Sequence, residues 1–321
     1  MHNKYFIMKN YSNIYRPSQK NLVKCSKILK NHGVAALPTE TVYGLAGNAY
    51  SSKAILKIYQ LKKRPKKNPL IVHFDNLQSI LNETESNIYL KKLYKKFSPG
   101  PISYILKLKK NSKISKILLN SNKTVACRVP ANSHFRKIIK LTGAPLAAPS
   151  ANISNHISPT SSLDVYDEFK NKIKFILDGK QSKIGLESTV INLIGVPKVL
   201  RPGKISKNEI KKIIKKIRDN KSKKILSPGQ LKKHYSPGIP VYLNQNKARK
   251  NGALLIFGKN KSKGKDIFYL SKKGSLEEAG KNLYLKLRQI KKIGYKNISV
   301  TKIPNKGFGI AINDRLKRAS S

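Results

Sequence analysis

The sequence predicts an α/β protein built as a larger N-terminal domain and a smaller C-terminal one. Three observations carry that expectation. Short apolar runs alternate with helical patterns along the chain, the order that layers helices on a sheet. The 321 residues include 39% hydrophobic side chains, with 15 Tyr and 9 Phe, enough for a real core in one large domain or two ordinary ones. The pattern shifts once, after Arg201, and a second, smaller α/β series follows.

The first apolar run, Val34 to Leu37, reads as a buried strand that meets Pro38. The next stretch, "TETVYGLAG" from Thr39 to Gly47, is small, hydroxyl-rich, turn-prone and nearly uncharged. A plain connector would use Asn, Asp or Lys; this composition instead lets a ligand approach the backbone. "KAILKIYQLKK" is a helix: Ser51 or Ser52 caps it, and Ile55, Leu56 and Tyr59 form its apolar face. Lys62, Lys63 and Arg64 crowd its last turn, where the helix dipole favours cations, and Pro65 stops it.

The alternation continues through "PLIVHF", "SIL" to "YLKKLYKKF", and "ISYILKL". A further series runs "TVACRVP", "FRKIIKL", "PLAAPS", "KFILDG", "STVINLI" and "KVLRPG". Whether the sheet is wholly parallel is left open by these patterns. "SKNEIKKIIKKIRDNKSKK" opens with a capping-box pattern, Ser206 to Glu209, and sets Ile210, Ile213, Ile214 and Ile217 on one helical face. Two Ser-Pro-Gly triplets then read as a linker. The expected division is a domain over 1–204, a linker over 205–237 and a second domain over 238–321, the last carrying "IPVYL", "GALLIFG" and "AGKNLYLKLRQI".

The charge is extreme: 67 Lys+Arg against 15 Asp+Glu, a formal net of +52. Such a balance gives affinity for nucleic acid and other polyanions. The excess is mostly Lys spread over the whole chain among many Asn and Ile, so composition drift outweighs a dedicated RNA surface. Cys25 and Cys127 form neither a disulfide framework nor a zinc spacing, which points to reduced thiols. The N-terminus lacks a secretory apolar core, and no run reaches the roughly 20 apolar residues that span a bilayer. The expectation is a soluble, cytoplasmic protein.

The common catalytic signatures are missing. No phosphate-binding P-loop or dinucleotide fingerprint occurs, and the six histidines show no metal-ligand spacing. Ser150, in "APSAN", is not in a nucleophile elbow, and Cys127 reads as a small core residue. What remains is a set of polar residues at the ends of apolar strands: Thr39, Thr41, Arg64, Asn68, Arg128, Ser150, Asn152, Ser188 and Arg201. Strand ends of α/β sheets are where ligand crevices form. Each residue alone suits a cap or a turn. Together, guanidinium groups with hydroxyls and carboxamides suit anionic oxygens better than covalent catalysis.

At these residues the sequence resembles a known family. "ALPTETVYGLAGNA", "LKKRPKKNPLIVHF", "SPGPISYIL", "TVACRVPA", "PLAAPSANISNHISPT", "GLESTVINL" and "VLRPG" are similar, in order, to the motifs of L-threonylcarbamoyladenylate synthases. "LKKHYSPGIPV" and "GIAINDRLKRAS" resemble the linker and C-terminal domain of the long, two-domain form. The resemblance implies a YrdC-like twisted-sheet domain with helices, plus a smaller C-terminal α/β domain of Rossmann-like type. It implies a nucleotidyltransferase reaction in which L-threonine, bicarbonate and ATP give threonylcarbamoyl-AMP and pyrophosphate. Mg2+ would accompany ATP without a protein ligand, and no covalent nucleophile is required. A separate transferase assembly would then modify tRNA.

Carried over residue by residue, the resemblance places threonine against Thr41, His73, Arg128 and Ser188, with Arg128 on the carboxylate. The nucleotide would lie against Lys62, Arg64, Asn68, Thr124, Ser150, Asn152, Ser158, Arg201 and Tyr235. Lys62 and Arg64 would stabilise developing charge. Two departures stand out: family members often have Gly where this chain has His32, and usually have Gly where it has Lys63. Two rival readings exist. An RNA-binding module of the same fold would need neither the pocket residues nor Tyr235. A carbamoyl-transferring hydrogenase-maturation enzyme would need cysteine-rich zinc motifs, which two isolated cysteines exclude.

Overall fold

A computed structural model describes residues 11–65, 68–119, 123–218, 234–259 and 264–321. Its N-terminal sheet contains β1 (Ile14–Tyr15), β2 (Val34–Leu37), β3 (Gly44–Asn48), β4 (Ile71–His73), β5 (Ile102–Lys107), β6 (Thr124–Arg128), β7 (Leu146–Ala147), β8 (Ile176–Leu177), β9 (Thr189–Asn192) and β10 (Lys198–Arg201). The order across the sheet is β1-β8-β2-β3-β7-β4-β6-β5-β9-β10, and the pairing is mixed. β4 runs parallel to β6, β5 parallel to β9, and β2 antiparallel to β3.

The central strands are largely apolar because both faces are covered. α1 (Gln19–Lys30) and α5 (Ser133–Thr142) cover one face; α2 (Ser52–Lys62), α3 (Leu77–Glu83), α4 (Ile88–Phe97) and α6 (Ser162–Phe169) cover the other. Strand alternation divides the side chains accordingly: Ala35 and Leu37 of β2 join the first core, Val34 and Ala36 the second. Burying this apolar area is the main stabilising term.

Strand β3 is a finding that the sequence pattern did not announce, since "GLAGN" has low strand propensity. Its glycines are there for close approach. A Cβ on Gly44 would stand 3.1 Å from the Ala148 Cβ, and one on Gly47 would stand 3.0 Å from Ile58 Cδ1. The segment therefore serves both as a central strand and as a wall of the crevice at its start.

Helix α2 is capped by Ser51, whose Oγ accepts from the Ala54 N–H at 3.1 Å. Its buried face is Ala54, Ile55, Ile58, Tyr59 and Lys62, so Lys62 points inward and Leu56 sits at the edge. The helix ends on Lys63 at φ 48° and ψ 43°, a left-handed conformation that glycine adopts most easily. His32 sits at φ 56°. Both departures from glycine noted in the sequence thus fall on left-handed positions.

α7 (Lys207–Ile213) carries the expected capping box at Ser206 but is shorter than its isoleucine pattern. After Ile214 the chain turns back, and the Arg218 N–H donates to the Pro197 carbonyl beside β10. Ile210, Ile214 and Ile217 pack on the N-terminal core, so the first part of the interval expected to link the domains belongs to the first one. Residues 219–233, with the first Ser-Pro-Gly triplet, lie outside the described residues, as do residues 1–10.

The C-terminal domain has a fully parallel sheet of β11 (Val241–Leu243), β12 (Gly252–Phe257), β13 (Ile267–Ser271) and β14 (Asn297–Val300), ordered β11-β14-β12-β13. Its helices are α8 (Leu276–Ile293), capped by Ser275 and ended by Gly294, and α9 (Gly309–Ala319). One core runs across the domain boundary: Val42, Ile157 and Leu186 pack with Tyr284, Leu287 and Ile312. Among the described residues no helix is long and apolar enough to cross a membrane.

Candidate active site

The strand ends meet in a narrow cavity with about 40 Å3 of free volume. Thr39, Thr41, Val42, Tyr43 and Gly44 form one wall; His73 closes β4, and Arg128 closes the adjacent β6, with which His73 is in register. Ser150 follows β7, Ser188 precedes β9, Arg201 ends β10, and Arg64 follows α2. His234 and Tyr235 fill the mouth. Tyr235 is buried at φ 65°, with its ring stacked on Tyr284 at 5.8 Å and its hydroxyl unpaired among the described residues. A cavity this small lies well under the roughly 300 Å3 of ordinary ligand sites, and the His234–Tyr235 segment is part of its lining.

Thr39 Oγ1 donates to the Val42 carbonyl at 2.6 Å and accepts from the N–H groups of Thr41 and Val42, which fills its two lone pairs. The Thr41 hydroxyl lies 2.8 Å from it. Thr41 Oγ1 accepts from Arg128 Nη1 at 2.9 Å. Its second lone pair suits an amine or a hydroxyl of a ligand.

Among the described residues, three guanidinium groups, Arg64, Arg128 and Arg201, line the cavity with a single carboxylate, Glu187. Arg64 donates from Nε to the Asn68 carbonyl and from Nη2 to the Pro69 carbonyl; burial lowers its pKa to about 10. Arg201 donates from Nε to the Ser188 carbonyl and from Nη2 to Ser188 Oγ, both at 3.1 Å. Burial, with Arg128 beside it, holds His73 neutral by lowering its pKa to about 3, and its Nδ1 has no partner among the described residues. The cavity thus combines fixed cations with neutral donors and acceptors. Both thiols are buried, which raises their pKa, and neither lines the cavity. Among the described residues no group of three His, Cys, Asp or Glu is placed to hold a metal ion.

Comparison with known proteins matches this architecture domain by domain. Residues 27–203 match the Sua5, YciO and YrdC family model, described as telomere recombination, and residues 205–321 match the threonylcarbamoyl-AMP synthase C-terminal domain. A threonylcarbamoyl-AMP synthase from Pyrococcus abyssi is 37% identical over 313 residues, covering 89% of this chain and 90% of that one. The chain belongs to the threonylcarbamoyl-AMP synthase family. The Bacillus subtilis synthase is 33% identical over 321 residues, covering 93% of this chain and 92% of that one. In three dimensions, P. abyssi Sua5 complexed with L-threonine superposes with a TM-score of 0.88 at 32% identity, over 96% of this chain and 97% of that one.

Within this family fold, several residues expected at the site line the cavity: Thr41, His73, Arg128, Ser188, Arg64, Ser150, Arg201 and Tyr235. Others stand behind it. Lys62 is fully buried, and its Nζ donates to the carbonyls of Ser150 at 2.6 Å and Asn152 at 2.5 Å. Burial, reinforced by Arg64, depresses its pKa, and its place is to brace the Ser150–Asn152 loop. The Asn152 amide likewise donates to the carbonyls of Ile153 and His156. Ser158 donates to Glu187 Oε1 at 2.5 Å. Asn68 is buried, and neither amide atom has a partner among the described residues. Thr124 is not brought to the cavity. It opens β6, four residues and about 13 Å along the strand from Arg128, and pairs with Lys107 of β5.

Two acids were missed by sequence reasoning. Glu40 pairs with Arg128. Glu187 accepts from Arg315 Nε at 2.8 Å and from the Tyr284 hydroxyl at 3.1 Å, so the C-terminal domain reaches the cavity wall through one carboxylate. Burial alone would raise the Glu187 pKa, but Arg315 and Arg201 outweigh it and hold it at about 2. A signal existed: with only 15 acids in the chain, two inside the family motifs are conspicuous.

Proposed function

We propose that this chain condenses L-threonine, bicarbonate and ATP into threonylcarbamoyl-AMP and pyrophosphate. The observation that carries the reading is the cavity itself: three guanidinium groups and several neutral hydroxyls converge where strand ends meet, with no activated nucleophile among them. Arg128 takes the threonine carboxylate as a bidentate partner, and Thr41 accepts from the amine. The amine and bicarbonate give a carbamate with loss of water. A carbamate oxygen attacks the α-phosphorus in line, and the bond to the bridging oxygen of pyrophosphate breaks. Arg64 and Arg201 neutralise the charge that develops on the phosphoryl oxygens, which is the main catalytic demand in such a step.

Magnesium enters with the nucleotide as MgATP. The one carboxylate on the cavity wall, Glu187, is committed to Arg315, so phosphate oxygens are the fitting ligands for the metal. Lys62 contributes by holding the Ser150–Asn152 loop. The His234–Tyr235 segment withdraws to admit substrate and returns over it. The product feeds a tRNA-modifying transferase assembly, and the reading places the protein in the cytoplasm. Its net charge of +52 adds a salt-sensitive affinity for RNA that the chemistry does not require.

Pyrophosphate release by purified protein tests the reading. Release that needs threonine and bicarbonate together, and is largely lost in Arg64→Ala, supports it. ATP cleavage independent of threonine would reject it.

A further inference from the structure

We propose that Glu40 is the positioning residue of the threonine subsite: it fixes the Arg128 guanidinium so that two N–H groups are left aimed at the substrate carboxylate. The proposal rests on the synthase reading above and adds to it a residue that never touches the substrate.

A guanidinium has five N–H donors. In Arg128 three are committed: Nε to the Gly100 carbonyl at 3.2 Å, Nη1 to Thr41 Oγ1 at 2.9 Å, and Nη2 to Glu40 Oε1 at 2.7 Å. Among the described residues, one N–H on each terminal nitrogen remains. That pair is what a carboxylate takes bidentately. Of the three anchors, the Glu40 contact is the only one with a charged acceptor, and charge-assisted bonds are the stronger kind.

Glu40 is itself held. Its Oε2 accepts from the Ala131 N–H at 3.0 Å, and its backbone carbonyl accepts from the Ile184 N–H at 2.9 Å. Its side chain is only 10% exposed and that of Arg128 only 4% exposed. The carboxylate therefore ties the turn after β2 to the end of β6 and the loop that follows it, while the backbone carbonyl holds that turn to the loop before β9. It also compensates the Arg128 charge, which a buried guanidinium facing only hydroxyl and carbonyl oxygens would leave unbalanced. Without Glu40, Arg128 keeps its charge but loses its fixed orientation. A carboxylate then has to order the guanidinium as it binds, at the expense of affinity.

The test is threonine binding by calorimetry together with steady-state kinetics, on the full chain and on Glu40→Gln and Glu40→Ala. Because the Gln amide carries no charge and can accept only one of the two bonds the carboxylate takes, threonine binding should weaken by about tenfold to a hundredfold in Glu40→Gln, and further in Glu40→Ala. The KM for threonine should rise by the same factor. The kcat at saturating threonine and the KM for ATP should stay within about twofold, the pattern of lost ground-state binding. A general structural defect would move ATP and threonine alike, and that result overturns the proposal. So does unchanged threonine affinity in Glu40→Gln. Glu40→Asp, which keeps the charge but shortens the reach by one methylene, covers the case in which the other variants fail to fold. It should fall between the full chain and Glu40→Ala, and affinity equal to that of the full chain overturns the proposal. If the unsubstituted chain binds no threonine, the synthase reading itself has failed, an outcome distinct from all of these.

Discussion

Replacing Arg315 by Met should loosen the C-terminal domain from the active site, and the size of the effect follows from the geometry. Arg315 is fully buried, donates from Nε to Glu187 at 2.8 Å and from Nη2 to the Pro202 carbonyl at 3.0 Å, and lies 5.3 Å from the Tyr235 ring centroid. Removing one member of a buried pair typically costs about 3–5 kcal/mol, because the other charge is left uncompensated. Arg315 is the strongest of the charges that hold the Glu187 carboxyl well below the usual carboxylate range. Arg201, Ser158 and Tyr284 still face Glu187 after the substitution, so the lower end, about 3 kcal/mol, is expected. The chain has no Trp, so urea unfolding would be followed by circular dichroism and tyrosine fluorescence. Glu187→Gln combined with Arg315→Met should cost less than the sum of the single changes. A loss below about 1 kcal/mol in Arg315→Met, or strict additivity in the double variant, would refute the reasoning.

Two further predictions concern stability. Lys63→Gly should stabilise the protein by about 1 kcal/mol, since a non-glycine residue at φ 48° carries a left-handed strain that glycine lacks. Lys63→Ala, which keeps that strain, should gain nothing, and an equal gain in both would contradict the account. Glycine at position 32 should gain less, because His32 Nδ1 contacts Ser51 Oγ at 2.7 Å and that bond would go. In acid, His73 and His234 are held neutral in the fold at about 3, while the unfolded chain protonates them near 6.5. Their folded pKa is depressed, so the stability is present above pH 6.5 and is lost as pH falls from 6.5 towards 3. Each contributes a slope of up to about 1.4 kcal/mol per pH unit in that window. His73→Asn should flatten the acid limb of a melting-temperature profile, and an unchanged limb would show that the burial argument is wrong.

The site was largely legible because its residues cluster in sequence at strand ends, where polarity breaks an apolar run. Thr41, Arg128, Ser150, Ser188 and Arg201 all announce themselves that way, whereas His73 was expected from the family resemblance alone. Lys62 was expected to line the nucleotide from the resemblance, yet helical spacing puts it on the face of Ile58 and Tyr59, and burial follows. Glu40 and Glu187 escaped because their partners are 88 and 128 residues away, and no local pattern reports a contact at that range. Strand β3 was hidden for another reason. Its composition answers to close packing against Ala148 and Ile58, which overrides strand propensity. The early end of α7 has no sequence signal at all: it comes from the return of the chain to pair beside β10.

The central claim, that the cavity joins a carbamoylated threonine to AMP, is tested most directly by the mass of the adenylate formed from carbon-13-labelled bicarbonate. Incubated with threonine and MgATP, the protein should yield a threonylcarbamoyl-AMP that carries the label, and Arg128→Ala should yield almost none. An unlabelled threonyl-AMP, or AMP formed at the same rate without threonine, would contradict it.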